Sequence, residues 1–116
     1  IEVRSDYVLY VKIKEDGHIT MKDILEVEST LNRDYPHTKF FNLFEFKEYS
    51  SVDEEVRNWA SDKDGNTRTL ADAAVIDSLP QRLLANFYLK VNQPPKPTKI
   101  FSNTSDAIVW LKSLYN

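Results

Sequence analysis

Five large apolar side chains fall within the seven residues FFNLFEF: Phe40, Phe41, Leu43, Phe44 and Phe46. So short and nearly continuous a run suits a strand covered on both faces, which in turn requires a sheet with helices packed on it. The flanking stretches carry the helical period. In TMKDILEVESTLNRDY, before the strand, Thr20 is placed as an N-cap and Met21, Ile24, Leu25 and Leu31 form one apolar face. Glu28 interrupts that face and Tyr35-Pro36 ends the helix. In SVDEEVRNWA, after the strand, Ser51 and Glu54 have capping-box spacing, and Val52, Val56, Trp59 and Ala60 share one side.

The same alternation runs through the rest of the chain. IEVRSDYVLYVKIKED reads as a short strand, a turn near Ser5-Asp6 and a longer strand, closed by a turn at Asp16-Gly17. SDKDGNTRT reads as a polar loop and ADAAVID as a strand of small residues. SLPQRLLANFYLKVN reads as a helix, with Ser78 and Gln81 in capping-box spacing, Pro80 in the first turn, and PPKP as its stop. TKIFS is a last strand. NTSDAIVWLKSLYN is a last helix, capped by Asn103 or Thr104, with Ala107, Ile108, Leu111, Leu114 and Tyr115 inward. The order β-β-α-β-α-β-α-β-α predicts an α/β fold: a single domain over 1–116 with a mixed, mostly parallel sheet and helices on both faces. The first two strands are antiparallel because a turn joins them. Phe41, Leu43, Val75 and Ile100 are expected on inner strands.

Composition narrows the function classes. Net charge is −3, with Lys and Arg scattered, so no basic field marks a nucleic-acid partner. No cysteine is present, which excludes disulfides, thiol catalysis and thiolate metal sites. Two glycines, Gly17 and Gly65, cannot build a phosphate-binding G-x-G-x-x-G or Walker loop. No apolar run is long enough to span a bilayer and no leader is visible from Ile1, so a cytoplasmic protein is expected.

Three stretches, FNLFEFKEYSSVDEEVRNWA, AAVIDSLPQRLLANFYLKVNQPPKP and TKIFSNTSDAIVWLKSL, together resemble the STAS domain of sulphate transporters and anti-sigma factor antagonists. More closely, the chain is similar to the bacterial STAS-like (SpoIIAA-like) families. That resemblance implies a STAS/SpoIIAA-like fold and a non-enzymatic binding or regulatory module, with a protein partner as one expectation. It also implies a phosphoserine at the strand-to-helix junction, here Ser50 or Ser51. In the antagonists an acidic residue precedes that serine and a glycine follows soon after; here Tyr49 precedes and Val52-Asp53 follow. Ser51 has a sufficient role as an N-cap, worth about 1 kcal/mol.

Other constellations carry less. Asp62, Asp64 and Asn66 begin like a calcium loop, but Thr67 and Ala73 stand where Gly and a bidentate Glu belong. His18 and His37 read as solvated loop residues without ligand spacing, so no metal, cofactor or catalytic residue is expected. The helix from Ser78 is the outlier. Leu83, Leu84, Phe87, Tyr88 and Val91 spread apolar surface over more than half its circumference, while Arg82, Asn86 and Lys90 form a polar strip. Three uses suit the excess, in the order packing under a loop, a homodimer interface, and the wall of a pocket for a small apolar or lipid-like ligand.

Overall fold

The computed structural model describes residues 2–3, 7–62 and 67–114. One five-stranded sheet runs in the order β1-β2-β4-β6-β7. β1 (Glu2–Val3) pairs antiparallel with β2 (Val8–Ile13). β2, β4 (Phe40–Phe46), β6 (Thr69–Ile76) and β7 (Thr98–Phe101) are parallel. The helices between them are α1 (Met21–Asp34), α2 (Glu54–Ser61), α3 (Leu79–Asn92) and α4 (Thr104–Ser113). The mixed sheet with helices on it is the expected α/β architecture. Phe41, Leu43 and Val75 do lie on inner strands, whereas Ile100 lies on β7, at the edge.

Two short strands were not anticipated. β3 (His18–Ile19) and β5 (Ser51–Val52) pair parallel in a separate two-stranded sheet. Their pairing corrects the expected cap of α2. Ser51 N–H donates to Gly17 O (2.9 Å) and Asp53 N–H to Ile19 O (2.9 Å), holding Ser51 and Val52 extended. The helix therefore starts only at Glu54; Asp53 is the N-cap and its side chain makes no capping bond. At Asp16-Gly17 the left-handed residue is Asp16 (φ 59°). Gly17 is required by close approach instead, since a Cβ there would meet Lys14 O at 2.9 Å.

The remaining caps mix agreement and correction. Thr20 and Asp23 form a capping box and Asn103 accepts from Asp106 N–H, as their helix starts require. Ser78 is the N-cap of α3 with Pro80 in the first turn, but its hydroxyl makes no cap bond, and Gln81 Nε2 reaches Ser50 O (3.4 Å) rather than the helix end. Leu25 is not core; it is 62% exposed, and Leu31 with Val27 covers the sheet in its place. Leu114 is also exposed, at the end of α4. The turn at Ser5-Asp6, most of DKDGN (63–66) and Tyr115 lie outside the described residues.

The two sheet faces are packed differently. On one, Val8, Leu43, Ala71, Ala73 and Val75 meet Ala107 and Leu111 of α4, with Phe101 and Trp110 closing the side. Ala71 and Ala73 remove bulk under the helix, so α4 comes close and Leu43, Ala71, Ala73 and Ala107 have no exposed surface. On the other face lie α1, α2 and α3. Buried contact there is sparse: Leu31 is the buried residue of α1, Val56 that of α2, and α3 has none.

Candidate functional site

The loosely covered face encloses a partly open cavity of about 790 Å³. Its floor is the sheet, with Leu9, Val11 and Ile13 of β2, Phe44 and Phe46 of β4, Ala74 and Ile76 of β6 and Ile100 of β7. Ile24, Val27 and Leu31 of α1, Val56 and Trp59 of α2, and Leu84, Tyr88 and Leu89 of α3 form its walls. The cavity arises where the floor is low. Asn42, Asp72 and Ala74 occupy the centre of the sheet on this side, where large apolar residues would otherwise reach α3.

α3 answers the question its sequence raises by dividing its apolar surface. Tyr88 lines the cavity, and Leu84 stands at its rim, 51% exposed. Leu83, Phe87 and Val91, spaced four apart, form an outer stripe and are 62%, 58% and 63% exposed. Arg82 of the polar strip is tied down, its Nη1 donating to Ile76 O (2.9 Å) and Asp77 O (2.5 Å). Across the cavity wall, the Arg57 guanidinium of α2 sits 4.4 Å from the Tyr88 ring centroid while donating to Val52 O (2.6 Å).

Toward the starting ends of the parallel strands, the cavity becomes polar. Asn42 Nδ2 donates to Thr69 Oγ1 (2.9 Å) and to Asp72 Oδ1 (2.8 Å). A regular strand would put Thr69 and Asp72 on opposite faces. The register shift between Phe40 and Phe41, where Phe40 pairs with Thr69 and Phe41 with Ala71, brings both to the cavity side. Burial pushes the Asp72 carboxyl up to about 6, against the opposing pull of the Asn42 hydrogen bond and the Lys96 charge. Asp72 lies deep in the protein yet keeps some accessible surface, because that surface faces the cavity.

Arg68 stands beside this polar end. Its guanidinium donates to Tyr35 O (2.8 Å), Thr38 O (3.1 Å) and Asn32 Oδ1. Its Nε makes no hydrogen bond but lies 3.5 Å from Glu28 Oε2. This explains why Glu28 interrupts the apolar face of α1: its carboxylate is the counter-charge of a mostly buried cation.

The two candidate serines are placed differently. Ser50 is buried, and its hydroxyl donates to Lys47 O (2.6 Å). Ser51 is exposed on β5, its Oγ 2.6 Å from His18 Nδ1, with His18 Nε2 3.6 Å from Asp53 Oδ1. His18 is therefore solvated as expected, but on a strand and in a surface trio rather than in a loop, while His37 is exposed in a turn. Among the described residues, no three His, Asp or Glu side chains converge to hold a metal ion. Nor is any described helix long and apolar enough to cross a membrane.

Sequence reasoning passed over Asn42, Thr69 and Asp72. The signal was present as a polar residue at the centre of each of two apolar strands, FFNLFEF and TLADAAVI. Such residues are costly to bury singly and become affordable when their register lets them bond to each other.

The sequence matches the family described as Domain of unknown function (DUF7793) over residues 1–115, and the chain belongs to that family. No curated protein matches it. Among solved structures it is similar to a protein with unknown function from Arthrobacter sp. FB24, at 22% identity over 98% of both chains and a TM-score of 0.35.

Proposed function

We propose that this member of the DUF7793 family is a non-enzymatic binding module that takes a small apolar or lipid-like ligand between its sheet and helices α1, α2 and α3. The observation that carries this reading is the cavity. Its volume falls within the roughly 300–1,000 Å³ of small-molecule sites, and apolar side chains line most of it, with Asn42, Thr69 and Asp72 at one end and Ser50, Ser51 and Gln81 at the other.

Energetics favour an occupant. The cavity is open to solvent on one side, and apolar lining left against water forfeits about 25 cal/mol per Å² of the surface an apolar occupant would cover. The space is filled by water through its open side or by an apolar molecule. Water needs two to four polar partners, and the Leu, Ile, Val and Phe side chains that line most of the cavity provide none. An apolar ligand needs none.

N-phenyl-1-naphthylamine, whose fluorescence rises in apolar surroundings, tests the proposal. One probe should bind per chain and quench Trp59 of the cavity wall. Ala74→Phe, which builds a large side chain up from the floor, should abolish binding while the circular dichroism spectrum is retained. Saturable binding that survives in folded Ala74→Phe would refute the cavity as the site. Native mass spectrometry of the freshly purified protein should show a co-purified adduct.

The STAS-like resemblance supports a second reading, a phospho-regulated antagonist of a partner protein. Its phosphate would go on Ser51, because the Ser50 hydroxyl is buried against Lys47 O and Ser51 is exposed. A cognate kinase that modifies wild type equally well after Ser51→Ala would exclude that assignment.

A further inference from the structure

The polar end of the cavity has a defined hydrogen-bonding sense, and it restricts what can bind. Asn42 has two side-chain N–H groups, and both are committed, one to Thr69 Oγ1 and one to Asp72 Oδ1. What remains of this pair is Asn42 Oδ1 and Asp72 Oδ2, two acceptors without a hydrogen bond. Neither is a sealed-in orphan; among the described residues the buried side-chain atom left without a hydrogen bond is Arg68 Nε. The two oxygens therefore keep accessible surface, and both side chains line the cavity.

Most of the neighbouring donors are turned elsewhere. Arg68 gives its Nη groups to two carbonyls and Asn32, and its buried Nε, without a hydrogen bond, lies 3.5 Å from the Glu28 carboxylate. The Thr98 hydroxyl donates to Lys96 O (3.0 Å). With a carboxyl pushed up to about 6, Asp72 is mostly ionised at pH 8 and then accepts only. Lys96 contributes positive charge at this end, yet what Asn42 and Asp72 themselves offer a ligand is acceptor oxygen.

We infer that the ligand of this cavity is an amphiphile whose head group donates hydrogen bonds, a hydroxyl or an ammonium, to Asp72 Oδ2 and Asn42 Oδ1, and that carboxylate-headed chains are rejected. The inference rests on the proposed binding function and adds its specificity. The apolar tail lies along the sheet toward Phe44 and Phe46, and the head lies at the start of β6. An anionic head in the same place would leave four acceptor oxygens facing one another in a desolvated site, which disfavours it strongly.

Binding of 1-decanol, decylamine and decanoate is compared at pH 8, each below its micelle concentration, by displacement of N-phenyl-1-naphthylamine. In wild type, decanol or decylamine should bind at least about ten-fold tighter than decanoate, the scale of one hydrogen bond to a charged group; which of the two binds tighter distinguishes hydroxyl from ammonium. Asp72→Asn keeps an acceptor for Asn42 Nδ2 and gains donors, so it should shrink that preference and admit decanoate. Decanoate binding wild type as tightly as the other two overturns the inference and leaves the carrier reading intact. An unchanged preference in folded Asp72→Asn also overturns it. Failure of all three chains and of the naphthylamine probe overturns both. The wild-type comparison stands alone should the variant not fold.

Discussion

Asp72→Asn should stabilise this protein at neutral pH, and the effect should vanish in acid. In the folded protein burial raises the carboxyl from 3.8 to about 6. The folded state then holds its proton where the unfolded chain has already released it, so this group's contribution is fully present below about pH 4 and is lost as pH rises through about 6. At 1.36 kcal/mol per pH unit, the interval from 3.8 to about 6 sets a maximum of about 3 kcal/mol. Water reaching Asp72 through the cavity reduces it toward about 1–2 kcal/mol. Asparagine is nearly isosteric, carries no charge and still accepts from Asn42 Nδ2. Urea unfolding of both proteins, followed by circular dichroism at intervals from pH 4 to pH 8, measures the difference. Subtracting the two curves cancels the opposite slopes of carboxylates such as Glu45, which Lys47 and Tyr10 hold below the usual range. The variant should match wild type near pH 4 and exceed it by about 1–3 kcal/mol at pH 8. A pH-independent difference, or a variant less stable at pH 8, would refute the claim that Asp72 is a charge held at a burial cost.

The unequal faces predict unequal mutational costs. Leu111→Ala, in the close-packed layer under α4, should cost about 2–5 kcal/mol, whereas Leu84→Ala, on the cavity wall, should cost under about 1 kcal/mol by the same unfolding measurement. Caps supply a second contrast: Asn103→Ala should lose about 1 kcal/mol, and Ser51→Ala should lose little, since its hydroxyl caps no helix. The outer stripe of α3 gives a third. If Leu83, Phe87 and Val91 pair with a second copy, wild type should sediment as a dimer and Phe87→Asp as a folded monomer; a wild type that stays monomeric at high concentration ends that reading.

Much of the architecture was legible because local signals agreed with each other. FFNLFEF is a strand on composition alone, and Thr20, Pro80 and Asn103 mark helix starts through chemistry that needs no tertiary contact. The errors sit where a distant partner overrides that chemistry. Ser51 and Glu54 have capping-box spacing, but β3, over thirty residues earlier, pairs with Ser51 and Val52 and delays the helix. Leu25 fits the helical period of α1, yet the helix turns Val27 and Leu31 to the sheet and Glu28 to Arg68.

The candidate site follows the same division. The sequence by itself determined that α3 has more apolar surface than one sheet face can cover, because helical periodicity is a property of spacing alone. It also placed one polar residue in the middle of each of two buried strands. Only the tertiary structure decided that Tyr88 faces inward, that Leu84 stands half exposed at the cavity rim, and that Leu83, Phe87 and Val91 face out. Only the parallel register of β4 on β6, with its irregularity at Phe40–Phe41, set Asn42 beside Thr69 and Asp72. Register arises from pairing between strands far apart in the chain, and a shift of one residue sends a side chain to the other face. A cavity is likewise a space left among several elements, which no single segment encodes.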